Sequence, residues 1–247
     1  MATRNILYAP SYPVNEHISV IIPQVGQILE DEDGYYDLVG MLTAMPIDLM
    51  VQLDDAGIDF TSINEYQLFL LMFEGLKERD TRLIFGDLDL TKFKFCISQE
   101  NNQPLLIDVE NDIKIDRNIH AMIAGALRKI HHLEKNRRRP ANEDAKKYLI
   151  ERARQKMRRK KNRVQDSQLE SLIVAMVNTE QYKYDFEGTR ELSIYQFNES
   201  VRQVIKKVDY DNRMYGVYAG TINDKDLSPD ELNWLIHKKD EGLSYEY

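Results

Sequence analysis

Apolar residues recur at helical spacing along most of this chain and alternate with polar residues mainly over one short stretch. The clearest helical stripe runs over residues 119–133 and includes Ile119, Ile123 and Ile130. A period near 3.6 puts such residues on one helix face, whereas alternation puts them on one face of a strand. Alternation occurs over residues 93–115, around a polar turn. The pattern predicts a mainly α (α+β) fold, with helical bundle-like parts and one small antiparallel β-hairpin or meander in the N-terminal part.

Capping residues predict where several helices begin. Asp116 and Asn142 precede apolar stripes at helical spacing, and both side chains can accept a hydrogen bond from a free backbone N–H. Ser62 and Ser228 each stand three residues before a glutamate, which is the pattern of a reciprocal cap. We therefore expect helices after all four residues. Further expectations are a strand or extended arm over residues 18–22, helices over 35–42, 169–177 and 194–208, and an aromatic, small-residue stretch over 214–218.

Charge is distributed unevenly along the chain. Residues 128–163 hold 16 Lys and Arg and 4 Asp and Glu, a net charge of +12. The whole chain has 33 basic and 41 acidic residues, so the remainder has 17 basic and 37 acidic residues and a net charge of −20. Such an uneven distribution of charge gives information about binding partners rather than about the fold. We expect an N-terminal helical domain with the β-hairpin at 1–133, a basic helical linker at 134–164 and a C-terminal helical domain at 165–247.

The basic helical segment is the candidate partner-binding site. Basic side chains can neutralise phosphates and displace counterions, or they can dock on an acidic protein surface of the same or another chain. Tyr148 is the only aromatic residue within 128–163, so the segment lacks the aromatic residues that stack on bases. Protein binding is therefore favoured over nucleic-acid binding. The candidate residues are Arg137, Arg138, Arg139, Arg158, Arg159, Lys160, Lys161 and Arg163.

No group of residues predicts enzyme chemistry. His131 and His132 are adjacent, and adjacent helix residues point about 100° apart, so they cannot bind one metal ion from the same face. Cys96, the only cysteine, has no neighbouring histidine to activate it. We expect no catalytic residue, no metal and no cofactor. Five clustered carboxylates could hold a divalent ion but match no calcium-binding loop, and we interpret them as turn and strand-edge residues: Asp87, Asp89, Asp108, Glu110 and Asp112.

The hydropathy pattern predicts a protein without a membrane span. The longest apolar runs are far shorter than the roughly 20 residues that a membrane helix needs. Residues 1–30 lack the basic, apolar and small-residue regions of a signal peptide. With one cysteine and no export signal, we expect a reducing cytoplasm, with the virion as an alternative location.

Four segments carry a resemblance to known proteins: residues 18–29, 42–49, 194–201 and 215–221. They resemble proteins from the structural gene clusters of tailed phages and prophages of Gram-positive bacteria, and within that setting the chain is most similar to tail-assembly chaperones. The resemblance implies an acidic, helical, non-enzymatic protein. It also implies that the partner is the long helical tape-measure protein, or another tail protein, bound before tail-tube subunits polymerise. Self-association is an alternative.

Two other classes stay open at this point. A neck, baseplate or connector component of the virion would use its basic helix against DNA or a neighbouring subunit. A DNA-binding regulator is the third class, and the absence of a helix-turn-helix signature argues against it.

Overall fold

The computed structural model describes residues 5–99, 102–161 and 167–235; the side chains of residues 160 and 161 lie outside this description. Within these ranges the chain is mainly helical with two small antiparallel sheets, which confirms the predicted fold class. The strands are β1 (Ser11–Pro13), β2 (Ser19–Ile21), β3 (Lys94–Ile97), β4 (Pro104–Asp108) and β5 (Ile113–Ile115). The helices are α1 (Val25–Leu29), α2 (Glu32–Thr43), α3 (Met50–Asp55), α4 (Glu65–Lys77), α5 (Arg82–Phe85), α6 (Arg117–His131), α7 (Glu143–Lys161), α8 (Gln168–Val177), α9 (Phe186–Glu191) and α10 (Ile194–Tyr218).

The predicted hairpin is a three-stranded meander of order β3-β4-β5. Phe95 lies opposite Leu106, and Leu106 lies opposite Ile115. The predicted strand over residues 18–22 is also present, because Val20 of β2 pairs with Tyr12 of β1. This two-stranded sheet adds a second hairpin to the one that the alternating pattern predicts.

The two predicted aspartate and asparagine caps are confirmed. Asp116 accepts hydrogen bonds from the N–H groups of Asn118 and Ile119, at 2.9 and 2.8 Å, at the start of α6. Asn142 accepts from the N–H of Ala145 at 2.8 Å, at the start of α7. Each cap satisfies N–H groups that have no partner inside the helix.

The predicted cap of α4 at Ser62 is wrong by two residues. Asn64 accepts from the N–H of Gln67 at 3.0 Å, and the Gln67 side chain accepts from the N–H of Asn64 at 2.9 Å. The Ser62 hydroxyl instead donates to the carbonyl of Asp59 at 2.8 Å and belongs to the preceding turn. Two overlapping capping patterns compete here, and the one nearer to the apolar stripe is used.

Helix α10 is longer than its apolar stripe predicts, because residues 214–218 continue it to Tyr218. Ion pairs one turn apart support the extension: Lys207 lies 2.5 Å from Asp211, and Arg213 lies 2.7 Å from Asp209. The chain reaches Gly220 only after the helix ends, and this glycine has a φ of 72°.

The predicted helix after Ser228 is absent from the described residues. Glu231 accepts a hydrogen bond from the N–H of Ser228 at 2.9 Å, so the reciprocal bonds of the cap form. Residues 229–232 nevertheless form turns, and no helix follows up to residue 235. Glu231 also pairs with Arg213 at 3.1 Å, and this contact holds the segment against α10.

One cluster of buried apolar residues takes members from both sides of the basic segment, from Ile6 to Ile130 and from Leu169 to Phe197. Backbone hydrogen bonds join the two sides: the N–H of Val25 donates to Leu192 at 2.9 Å, and that of Ile194 donates to Pro23 at 2.8 Å. The start of α10 therefore packs on N-terminal elements. The division at 1–133, 134–164 and 165–247 stays a prediction.

A second, smaller cluster lies under α7. Its buried members are Ile47, Leu53, Phe60 and Leu68, and Ile150 of α7 packs against them. The other described side chains of α7 are exposed or half-buried. The basic helix therefore contacts this cluster through Ile150.

Candidate binding surfaces

Helix α7 is docked on acidic residues of its own chain. Arg154 donates to Asp55 at 2.6 Å and to Asp54 at 2.8 Å, both at the end of α3. Lys146 lies 2.7 Å from Asp59 in the next turn. Its hydrogen bond, with those from Thr61, lowers the pKa of Asp59 to about 2. Among the described side chains, these two cations hold the helix, and Arg158 and Arg159 do not contribute.

The segment between α6 and α7 is fixed at two points. Lys135 lies 2.6 Å from Glu65 at the start of α4, and Asn136 donates to Asp48 at 2.7 Å. Asp48 belongs to a 3-10 helix, Pro46–Leu49, that precedes α3. The next three residues are Arg137, Arg138 and Arg139, all exposed. They are therefore presented on a segment whose start is anchored by polar contacts.

Residues 137–139 line a groove of about 1140 Å³. We call it the arginine groove and define its basic residues as Arg117, Lys135, residues 137–139 and Lys146. Its lining also includes residues at the start of α4, in the 3-10 helix before α3 and at the start of α6. Apolar or aromatic side chains contribute to the lining, namely Met45, Ile47, Phe60, Ile63 and Tyr66.

Glu65 sits at the base of the groove and pairs with two cations. One carboxylate oxygen accepts from Arg128, and the other accepts from Lys135 at 2.6 Å. The side chains of Arg128 and Glu65 are only 11% and 12% exposed. Burial favours the neutral carboxyl, but the hydrogen bonds from Lys135 and Arg128 outweigh it and hold the pKa of Glu65 below its ordinary value.

His120 borders the groove from the first turn of α6. It is buried, and its ring stacks on Phe69 at a centroid distance of 4.3 Å. Its Nε2 atom has no hydrogen-bond partner among the described residues. Burial lowers the pKa of His120 to about 4, so the ring is neutral at neutral pH.

The structure separates the predicted partner-binding residues into two groups. Residues 137–139 line the groove, whereas Arg158 and Arg159 are exposed near the end of α7, about 20 Å along the helix from its start. The side chains of Lys160 and Lys161, and all of Arg163, lie outside the described residues. The pattern of charges alone did not identify Arg117, Glu65 or His120, because these residues reach the groove through long-range contacts.

The residues considered for metal binding or catalysis have other contacts. His131 and His132 point to different neighbours: His131 lies 2.9 Å from the Tyr35 hydroxyl, and His132 lies 3.3 Å from Glu199. Asp89 caps a short 3-10 helix, and Asp108 accepts from the N–H groups of a turn. Within the described ranges, no three His, Cys, Asp or Glu side chains lie close enough to bind one metal ion.

The second candidate surface is formed by residues 198–235, which we call the C-terminal hairpin. Helix α10 extends away from the core, and residues 219–235, which we call the returning segment, run back beside it. Gln203 donates to the carbonyl of Trp234 at 2.7 Å, and a side chain at Gly216 would meet Ile222 at 2.5 Å. The absence of a side chain at Gly216 therefore permits the close return. Among the described residues, no residue after Phe197 is buried.

Residues 159–239 match the family model of the YomV second domain. The matched segment contains α8, α9, α10 and the returning segment, and so includes the whole C-terminal hairpin. The match supports a phage-related protein. Neither the curated proteins nor the solved structures contain a match to this chain.

Within the matched segment, a heptad-spaced stripe runs from the core into solvent along α10, and its positions are apolar or aromatic except for Asp211. Ile194 and Phe197 are completely buried at its start, whereas Tyr215 and Tyr218 are 80% and 87% exposed at its end. The half-buried positions between them are Val201, Val204 and Val208. This spacing of three and four residues is a signal that the sequence contains. Charged residues at positions 209, 211 and 213 follow the apolar part of this stripe, so the sequence pattern predicts a helix that ends near residue 208.

The helices within the described ranges are all too short or too polar to span a membrane.

Proposed function

We propose that this protein is a non-enzymatic phage morphogenesis protein, a tail-assembly chaperone that acts in the host cytoplasm and binds the tape-measure protein through its C-terminal hairpin. The proposal combines the resemblance of four segments to tail-assembly chaperones with the phage-related match over residues 159–239. Of the two candidate surfaces, the C-terminal hairpin lies wholly within the matched segment, and we therefore assign tape-measure binding to it.

The observation that carries the proposal is the exposed end of the α10 stripe. An apolar stripe with a heptad repeat packs against a second helix, whose side chains insert between its own. Tyr215 and Tyr218 continue the stripe but are exposed by 80% and 87%. Burying a large apolar side chain contributes about 1.5–3 kcal/mol, so an unpaired stripe of this kind favours association.

The chemistry of the hairpin fits a long helical partner. Besides the two tyrosines, Ile205 of α10 and Leu232, Trp234 and Leu235 of the returning segment are exposed. Apolar side chains from two adjacent segments can contact one face of an incoming amphipathic helix. A tape-measure protein presents many such faces before tail-tube subunits surround it, and a chaperone that covers them keeps it soluble.

Copurification with a tagged tape-measure protein of the same phage tests the proposal. We expect the wild-type chain to copurify with the tape-measure protein, and the double variant Tyr215→Asp, Tyr218→Asp to lose affinity by about a hundredfold, since two charged groups replace two side chains buried on binding. Neither tyrosine is buried in the free chain, so the variant should fold.

The matched control is Tyr148→Asp, which places the same charge on another helix at a tyrosine that is 65% exposed. We expect this variant to bind as the wild type does. Equal binding by all three proteins, or no binding by the wild type, would show that the hairpin is not a tape-measure site.

A further inference from the structure

The arginine groove carries an excess of positive charge that the described residues do not neutralise. Its two lining carboxylates are both paired, Glu65 with Lys135 at 2.6 Å and Glu143 with Lys146 at 3.2 Å. Arg117 and residues 137–139 have no side-chain hydrogen bond or ion pair with any described residue. Four guanidinium groups therefore face one groove in a chain whose net charge is −8.

The arginines are held in place on both sides. Lys135 and Asn136 fix the segment before them, through Glu65 and Asp48. After them, α7 begins at a capped turn and is bound to Asp59 through Lys146 at 2.7 Å. Like charges that are kept together in this way repel one another, and a ligand of opposite charge relieves that repulsion.

The remaining lining of the groove is mixed, with apolar side chains beside the polar Thr61, Asn64, Asn118, Asn136 and Asn142. Ile47 and Phe60 belong to the second buried cluster, and Met45 and Ile63 pack against it. The buried Nε2 atom of His120 at the same groove has no partner among the described residues. A ligand that matches the groove therefore combines carboxylates with apolar groups, which can contact the half-buried side chains of Met45 and Ile63.

We propose that the arginine groove binds an acidic, amphipathic polypeptide segment of a partner protein, with carboxylates on the arginines and apolar side chains on the lining. Guanidinium groups form paired hydrogen bonds with carboxylates, and their geometry is maintained here by the anchored segment. The site is separate from the C-terminal hairpin and does not depend on the proposed chaperone role.

Nucleic acid fits the groove less well. Binding of single strands relies on exposed aromatic rings that stack on bases. The aromatic residues of the groove are buried, and the hydroxyl of Tyr66 is committed to the carbonyl of Ile115 at 2.8 Å.

Fluorescence anisotropy with a short labelled peptide of glutamate and leucine tests the proposal on the full chain. The matched variants are Arg137→Ala, Arg138→Ala, Arg139→Ala in the groove and Arg158→Ala, Arg159→Ala at the far end of α7. All five residues are exposed, so both variants should fold. We expect the groove variant to bind about tenfold more weakly, since exposed ion pairs contribute a few-fold each, and the α7 variant to bind as the wild type does.

Three further measurements decide between ligands. A peptide with glutamine in place of glutamate should bind much more weakly, and the NMR signals of the His120 ring should shift only with the acidic peptide. A single-stranded oligonucleotide should compete poorly at physiological salt. Equal affinity for the two peptides, equal loss in both arginine variants, or tighter arginine-dependent binding of the oligonucleotide would each overturn the proposal.

Discussion

Glu65 joins three parts of the chain through a single carboxylate. It begins α4, accepts a hydrogen bond from Arg128 of α6, and accepts another from Lys135 in the segment that leads to the arginine groove. Arg128 also donates to the carbonyl of Thr43 at the end of α2, at 2.5 Å. Removing one member of such a buried set leaves the other charges without an opposite charge. The resulting loss of folding free energy is larger than the loss from breaking an exposed ion pair.

We therefore expect Glu65→Gln to lower the free energy of unfolding by about 3 kcal/mol. The matched control is Glu74→Gln on the same helix, where the glutamate side chain is 81% exposed and pairs with Lys77 one turn away. That change should cost less than about 0.5 kcal/mol. Urea unfolding of both variants measures the difference. Equal losses would show that the buried set contributes no more than a surface pair.

Two histidines make stability dependent on pH. Burial lowers the pKa of His120 to about 4, and burial together with His132 lowers the pKa of His131 to about 4, from an ordinary value of 6.5. Between these values the unfolded chain binds protons that the folded chain does not, so stability falls as pH falls from 6.5 towards 4. Each histidine contributes at most about 1.4 kcal/mol per pH unit.

We expect unfolding experiments to show this loss of stability within that window. Replacing His131 with Phe removes one of the two titrations and should reduce the slope by about half. The variant His17→Gln, at an exposed position, is the control and should leave the slope unchanged. A stability that is constant between pH 6.5 and 5 would contradict the assignment of both histidines as neutral groups in the folded chain.

Among the described side chains of helix α7, two cations and one apolar residue hold the helix against the rest of the chain. Arg154 and Lys146 contact Asp54, Asp55 and Asp59, and Ile150 packs on the cluster beneath. Of the basic run that follows, Arg158 and Arg159 have described side chains, and neither takes part in these contacts. Docking and partner binding can therefore be separated by mutation.

The double variant Lys146→Glu, Arg154→Glu should detach α7, because it turns attraction to three carboxylates into repulsion. We expect backbone amides of α7 to exchange hydrogen at least about tenfold faster, which corresponds to a loss of about 1.4 kcal/mol. Reversing Arg158 and Arg159 to Glu changes the net charge equally and should leave exchange in most of the helix unchanged. The same exchange in both variants would mean that the charges do not dock the helix.

Local patterns in the sequence predict most elements but not all of their ends. The caps at Asp116 and Asn142 are used because each stands alone before an apolar stripe. Ser62 fails because Asn64 provides a competing cap nearer to the stripe, and Ser228 closes a turn after which the described chain forms no helix. Helix α10 continues through residues 209–213, which are mostly charged, because pairs of opposite charge lie one turn apart there.

At the scale of the whole molecule, both candidate surfaces depend on contacts that local patterns do not contain. Lys135 and Glu65 are 70 positions apart, and Arg154 and Asp54 are 100 positions apart. The charge of residues 128–163 predicts a binding segment, but only the fold separates its docking residues from its exposed ones. The surface of the protein therefore has two different candidate binding regions: the arginine groove is cationic, and the C-terminal hairpin is apolar.

The proposed function requires that the C-terminal hairpin covers a partner during assembly and is released before the particle is complete. Quantitative mass spectrometry of this chain, relative to the tape-measure protein, in infected-cell lysate and in purified particles tests this requirement directly. We predict that the chain copurifies with the tape-measure protein from the lysate and is absent from the particles. A fixed stoichiometric amount in finished particles would contradict it and would identify a neck, baseplate or connector component instead.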